Sequence, residues 1–130
     1  MGLKFRWHGP CAVAGMTPIS LLANRFVAYR MALESVVAVA KCVGGWRGES
    51  DLANQCKRAA QSVMLNLGEG SAYERGSASQ QRFFRIARAS AIEVECALEC
   101  AMALGFCDAA TLDARSRAGR AARLANSVCR

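Results

Sequence analysis

Histidine occurs once in this chain of 130 residues, as His8, and proline twice, as Pro10 and Pro18. The single histidine leaves a Ser-His-Asp or Cys-His arrangement in the body of the chain without its base. It also excludes a di-iron bundle, which needs Glu-x-x-His on two helices. With both prolines ahead of residue 20, nothing later is forced to break a helix. Aromatic residues make up only 7% while alanine is abundant, a balance that favours close-packed helices over sheets. Seven cysteines are an odd number and contain no C-x-x-C pair, so they do not form a disulfide framework. Cys96 and Cys100 lie one helical turn apart, the spacing of half a zinc site, but no second pair accompanies them. Small apolar residues in a reducing cytosol is their reading, with no metal expected.

Long apolar runs are missing too. The apolar stretches are periodic and interrupted, most by Arg or Glu within a turn or two, so no membrane span is expected. The opening MGLKFRWHGPCAVAGMT has a short apolar stretch broken by Gly15 and makes a poor signal peptide. Gly68-Glu69-Gly70 lacks the preceding strand and the Lys-Ser/Thr of a phosphate loop. Glu69, Glu93, Glu95 and Glu99 could supply carboxylates, but Glu95 and Glu99 fall on the outer face of their helix, and Glu69 and Glu93 have arginines available. Structural ion pairs outweigh acid–base work for all four. The expectation is a cytoplasmic protein that is not an enzyme, with no cofactor, no membrane partner and no small-molecule substrate.

Acidic residues are absent from Met1 to Arg30, which carries four Lys or Arg, and Asp108 to Arg130 sets five arginines against two aspartates. The net charge of +7 and pI near 9.4 are therefore concentrated on the outer elements. Such a balance suits an anionic partner, most simply nucleic acid.

The stretch from Asp51 to Gly105 carries most of the pattern. Leu52, Cys56, Ala59, Ala60, Val63 and Leu67 recur at spacings of three and four, an apolar helical stripe. Gln55, Arg58, Ser62, Asn66 and Glu69 form a polar stripe along its flank. Polar groups at the edge of a core need hydrogen-bond partners, on the neighbouring helix or on another chain. In the following helix Phe83, Ala87, Ser90, Val94, Ala97, Leu98 and Ala101 make the core face, and Glu93 is the expected counter-charge for Arg58.

These residues carry a resemblance. Leu52, Gln55, Arg58-Ala59, Ser62, Asn66 and Glu69-Gly70 are similar to the signature "L..Q..RA..S...N..EG". Arg82-Phe83-Phe84, Ile86-Ala87-Arg88, Ser90, Glu93 and Glu95 are similar to "RFL.IARGS..E.E". Both belong to the bacterial four-helix-bundle proteins first noticed in intervening sequences of 23S ribosomal RNA genes. A related branch comprises the accessory variability determinant proteins of diversity-generating retroelements. The resemblance covers roughly residues 26–106, with Leu67-Gly68, Ala89 and Phe84 as departures. It implies a closed homo-oligomeric ring, usually a pentamer, and, through the retroelement branch, a reverse transcriptase and its template RNA as partners.

The expected fold is all-α, an up-down-up-down antiparallel four-helix bundle over residues 24–130, preceded by an irregular basic extension, 1–23. A first helix runs from an Asn24 cap to Cys42, with Thr17-Pro18 as an alternative earlier start, and Trp46 closes the end of the bundle. A third helix opens at the capping box Ser77-x-x-Gln80. The fourth starts near Asp108, with Ala110, Ala114, Ala118, Ala121, Ala125 and Val128 as a small-residue seam. Arg115, Arg120 and Arg123 lie on its other side. They read either as a solvated face or, with Arg85 and Arg88, as a ridge that meets RNA phosphates without base contacts. In the extension, Lys4-Phe5-Arg6-Trp7-His8 reads as unstructured chain or as a partner-contacting arm. The rival function is a protein-binding or structural oligomer with no nucleic-acid role.

Overall fold

The computed structural model describes residues 20–130, so the Lys4–His8 arm and most of the expected extension lie outside the described residues. All regular structure there is helical: α1 (Ser20–Arg25), α2 (Val27–Val43), α3 (Ser50–Gly70), α4 (Ala78–Ala103) and α5 (Ala109–Val128). The expected first helix is in two pieces. Asn24 lies inside α1, and the interruption falls at Phe26, whose backbone is extended at φ −121, ψ 96. Hydrogen bonds from Phe26 N–H to the Leu22 carbonyl and from Arg30 N–H to the Phe26 carbonyl carry the chain across it. Helix is already present at Ser20, the first described residue, ahead of the expected boundary at residue 24.

Three short connectors join the long helices, and each contains one glycine at positive φ: Gly48, Gly76 and Gly105. The long helices form a four-helix bundle in which α2 and α4 each pack against both α3 and α5, while α3 and α5 barely meet across the middle. Facing residues run in opposite numerical order. Gly70 meets Phe84 where Ser62 meets Ser90. Gln81 meets Arg130 where Glu99 meets Arg115. No described helix is long and apolar enough to cross a membrane.

More than half of the buried apolar residues are alanines, and α5 buries only Thr111 and four alanines, Ala114, Ala118, Ala121 and Ala125. Small side chains let the helices approach closely, and the large core residues Leu67, Leu98, Val39 and Val94 fill what remains. Ala110, expected in the α5 seam, is exposed, and Thr111 takes the inward position. The cause is Trp46, 4% exposed, whose indole N–H donates to Thr111 Oγ1 at 3.3 Å and whose ring stacks on Phe106 at 6.4 Å. This closes one end of the bundle.

Phe84 closes the other end, 5.8 Å from Phe26 between ring centroids. Phe83 is the core residue expected from periodicity, yet it is only half-buried and stacks on Tyr73 at 5.4 Å. Gly70 explains the exchange. A Cβ there would lie 2.7 Å from the Phe84 ring, so the glycine opens the slot that Phe84 fills. Gly70→Ala should therefore lower the urea midpoint, costing about 1–3 kcal/mol through overpacking. Gly44→Ala, at φ −60 with nothing near the new methyl, should not. Equal stability of Gly70→Ala and parent would refute the slot.

Candidate nucleic-acid interface and polar crease

Helix α5 starts where Asp108 accepts the Thr111 N–H at 2.9 Å, a cap that holds the Asp108 carboxyl below its ordinary range. With alanine turned inward, the outer surface of α5 is left to arginine. Arg115 reaches Glu99 of α4 at 3.3 Å, and both side chains are more than half exposed. Arg117 bonds Asp113 at 3.1 Å and Glu34 of α2 at 3.1 Å. Arg120 and Arg123 are exposed and make no ion pair among the described residues.

The structure brings some of the expected ridge together. Arg115 and Arg123 line one open groove between α4 and α5 with Glu95, Glu99, Ser116 and Gly119. Arg88 lies on the same flank of α4, seven residues, about two turns, before Glu95. Arg120 stands outside that groove, three residues from Arg117 and so toward α2. Arg85 is at the far end of α4, where it donates to the Arg130 carbonyl at 3.3 Å. Glu95 and Glu99, expected on an outer face, flank the groove, so its charge is mixed. Exposed pairs such as Arg115–Glu99 contribute little and exchange readily for a stronger anion.

The polar stripe of α3 divides in two. Ser62 and Ser90 hydroxyls meet at 2.8 Å, and Asn66 donates to the Ser62 carbonyl at 2.8 Å and to its hydroxyl at 3.1 Å. That half joins α3 to α4. Gln55, Arg58, Glu69 and Glu93 are exposed, and the expected Arg58–Glu93 pair is not made among the described residues. Nor does Glu69 meet an arginine there. Leu65 and Ile86, 61% and 40% exposed, stand beside these charges. By helical spacing Gln55, Arg58, Glu69, Ile86 and Glu93 border one crease between α3 and α4, while Leu65 faces outward, opposite buried Cys56. Among the described residues these exposed charges have no internal partners.

A family model of the 23S rRNA-intervening sequence proteins matches residues 24–126, from the end of α1 through nearly all of α5. The chain belongs to the 23S rRNA-intervening sequence protein family. It is also similar in fold to the crystal structure of a protein of unknown function from the S23 ribosomal protein family of Bacteroides thetaiotaomicron. The TM-score is 0.67 at 18% identity, over 78% of this chain and 96% of that one. No curated protein matches. In this family member the first signature has separable physical uses: Ala59 is core, Ser62 joins α3 to α4 through Ser90, Asn66 braces Ser62 within α3, and Gly70 admits Phe84.

Two adjacent glutamines are buried at the start of α4. Gln80 accepts the Gly76 N–H at 2.9 Å and donates to the Gly70 and Tyr73 carbonyls, fastening the α3–α4 connector. Gln81 donates to the Val128 carbonyl at 3.3 Å and accepts the Arg130 N–H at 2.8 Å, fastening the last residues. The capping box signals Gln80, although its side chain turns to Gly76 rather than Ser77. Nothing signals Gln81.

Beneath the crease, burial pushes Cys56 up to about 12, with Cys42 and Glu93 adding to it, and burial pushes Cys42 up to about 11, with Asp108 adding to it. Both rise from 9.0, so the neutral thiols stabilise the fold fully below that pH. The contribution is lost as pH climbs through 11 and 12. Replacing both by alanine should flatten the fall in stability above pH 9. In the native protein a thiol reagent should modify exposed Cys96, Cys100 and Cys107 before buried Cys42 and Cys56. Rapid native labelling of Cys56 would contradict this burial.

Proposed function

We propose that this chain is a non-catalytic, basic scaffold that assembles with copies of itself and binds RNA, or an RNA–protein complex, through α5. The observation that carries this reading is the division of α5 into an alanine face packed in the bundle and an exposed face holding Arg115, Arg120 and Arg123. A rigid rod with regularly spaced guanidinium groups suits a phosphate backbone and reads no base. Arg88 extends the surface onto α4, and Arg85 borders its end. The bundle is read as up-down-up-down and antiparallel, and the protein as cytoplasmic. Resemblance to the accessory proteins of diversity-generating retroelements makes a reverse transcriptase and its template RNA the leading partners.

The self-association half rests on the crease. Gln55, Arg58, Glu69 and Glu93 find no partner within the described chain, and exposed Ile86 stands among them. Opposite charges on neighbouring helices that do not pair internally can pair between copies, and a head-to-tail contact of that kind closes into a ring. A pentamer is the expected size. The same crease supports the second reading, a protein-binding or structural oligomer with no nucleic-acid role.

Titration of structured and unstructured RNA at low and moderate salt distinguishes the two. The scaffold reading expects affinity to fall steeply with salt. Replacement of Arg115, Arg120 and Arg123 by glutamate should reduce the logarithmic salt slope by about 1 for each phosphate no longer neutralised. No binding at low salt would overturn it. Separately, Glu93→Arg should lower the mass measured by light scattering without unfolding the chain. An unchanged assembly would remove the crease as a subunit contact.

A further inference from the structure

A second cavity lies not in the α4–α5 groove but at the end of the bundle closed by Phe84. Its volume is about 540 Å³, and Arg25, Arg75 and Arg130 line it together with Phe26, Tyr73 and Gln80. The volume falls within the range of about 300–1,000 Å³ usual for ligand sites. No aspartate or glutamate side chain lines it. No hydrogen bond or ion pair engages the three guanidinium groups among the described residues. Three uncompensated like charges around one cavity repel one another, and an anion between them relieves that repulsion.

The walls are held in place. The Arg130 backbone is fastened by Gln81 and Arg85, at 2.8 and 3.3 Å, and its guanidinium reaches over the connector at Gly76. Gln80, only 9% exposed, ties that connector to α3 through the Gly70 carbonyl. Arg75 is thereby carried on a fixed turn. Tyr73 stacks by one face on Phe83, and the residue remains 44% exposed, which leaves aromatic surface open to the cavity.

We propose that this cavity binds a nucleotide, its phosphate between the arginines and its base against Tyr73, either as a free nucleotide or as one unit of a single strand. Guanidinium groups supply the fork that phosphate oxygens accept, and an aromatic face accepts any base. Inorganic phosphate offers half of this chemistry and should bind more weakly. The site does not depend on the α5 arginines.

The test is binding of AMP, inorganic phosphate and a short 5′-phosphorylated oligoadenylate to the full chain by calorimetry. Arg75→Glu, Tyr73→Ala and the α5 Arg120→Glu/Arg123→Glu variant are compared with it. Tyr73→Ala should weaken AMP by about five- to a hundredfold, the range expected when a base stack is removed. Arg75→Glu should weaken all three probes, and the α5 variant should leave AMP unchanged. Tighter binding of the oligomer than of AMP assigns the site to a strand, and equal binding assigns it to the free nucleotide. Arg75 is an exposed connector residue with no hydrogen bond or ion pair among the described residues, so the unfolding curve of Arg75→Glu should stay unaltered. Failure of AMP to bind, or AMP binding indifferent to Tyr73→Ala and Arg75→Glu, would overturn the proposal while leaving the α5 reading intact.

Discussion

Close approach of helices across alanine governs everything else in this molecule. Alanine gains little from burial on its own, and its benefit here is that backbones and neighbouring side chains come into dispersion contact. A core of that kind has room for few large side chains. Those it does hold are placed where helices diverge, with Trp46 and Phe106 at one end and Phe26 and Phe84 at the other. Polar links follow the same limit. The Ser62–Ser90 contact uses two small hydroxyls because a longer pair would push α3 and α4 apart.

The exterior follows from the interior. An alanine face narrow enough for α5 leaves most of that helix exposed, and arginine occupies it at spacings of two and three residues. Some of these cations meet Glu34, Asp113 or Glu99, and others meet nothing within the described chain. On the opposite side, the exposed family-signature charges of the crease are also without partners among the described residues. The two surfaces therefore ask for different company. One suits an anion with repeated charges, the other a protein surface that returns both charge and apolar contact.

Much of the architecture is legible in the sequence because helical periodicity reports burial directly. The stripe through Cys56, Ala59, Ala60, Val63 and Leu67 is buried, and Ser77 and Asp108 cap their helices as their positions predict. The failures share a cause. Phe83 and Phe84 are adjacent, so periodicity alone gives either one to the core, and the choice is made by Gly70 in another helix. Arg58 and Glu93 are complementary by charge, but the Ser62–Ser90 pair occupies the gap between their helices and both charges remain outside. Gln81 and Thr111 are polar residues at core positions whose partners, the chain end and Trp46, are more than forty residues away. A pattern confined to one helix does not contain them.

Ultraviolet crosslinking of the purified assembly to RNA, followed by mapping of the modified peptides, decides whether α5 carries the RNA. A scaffold of the kind proposed gives crosslinks on peptides from α5 and the adjoining flank of α4, fading as salt rises. Crosslinks confined to the α3–α4 crease, or none at low salt with the assembly intact, would contradict it.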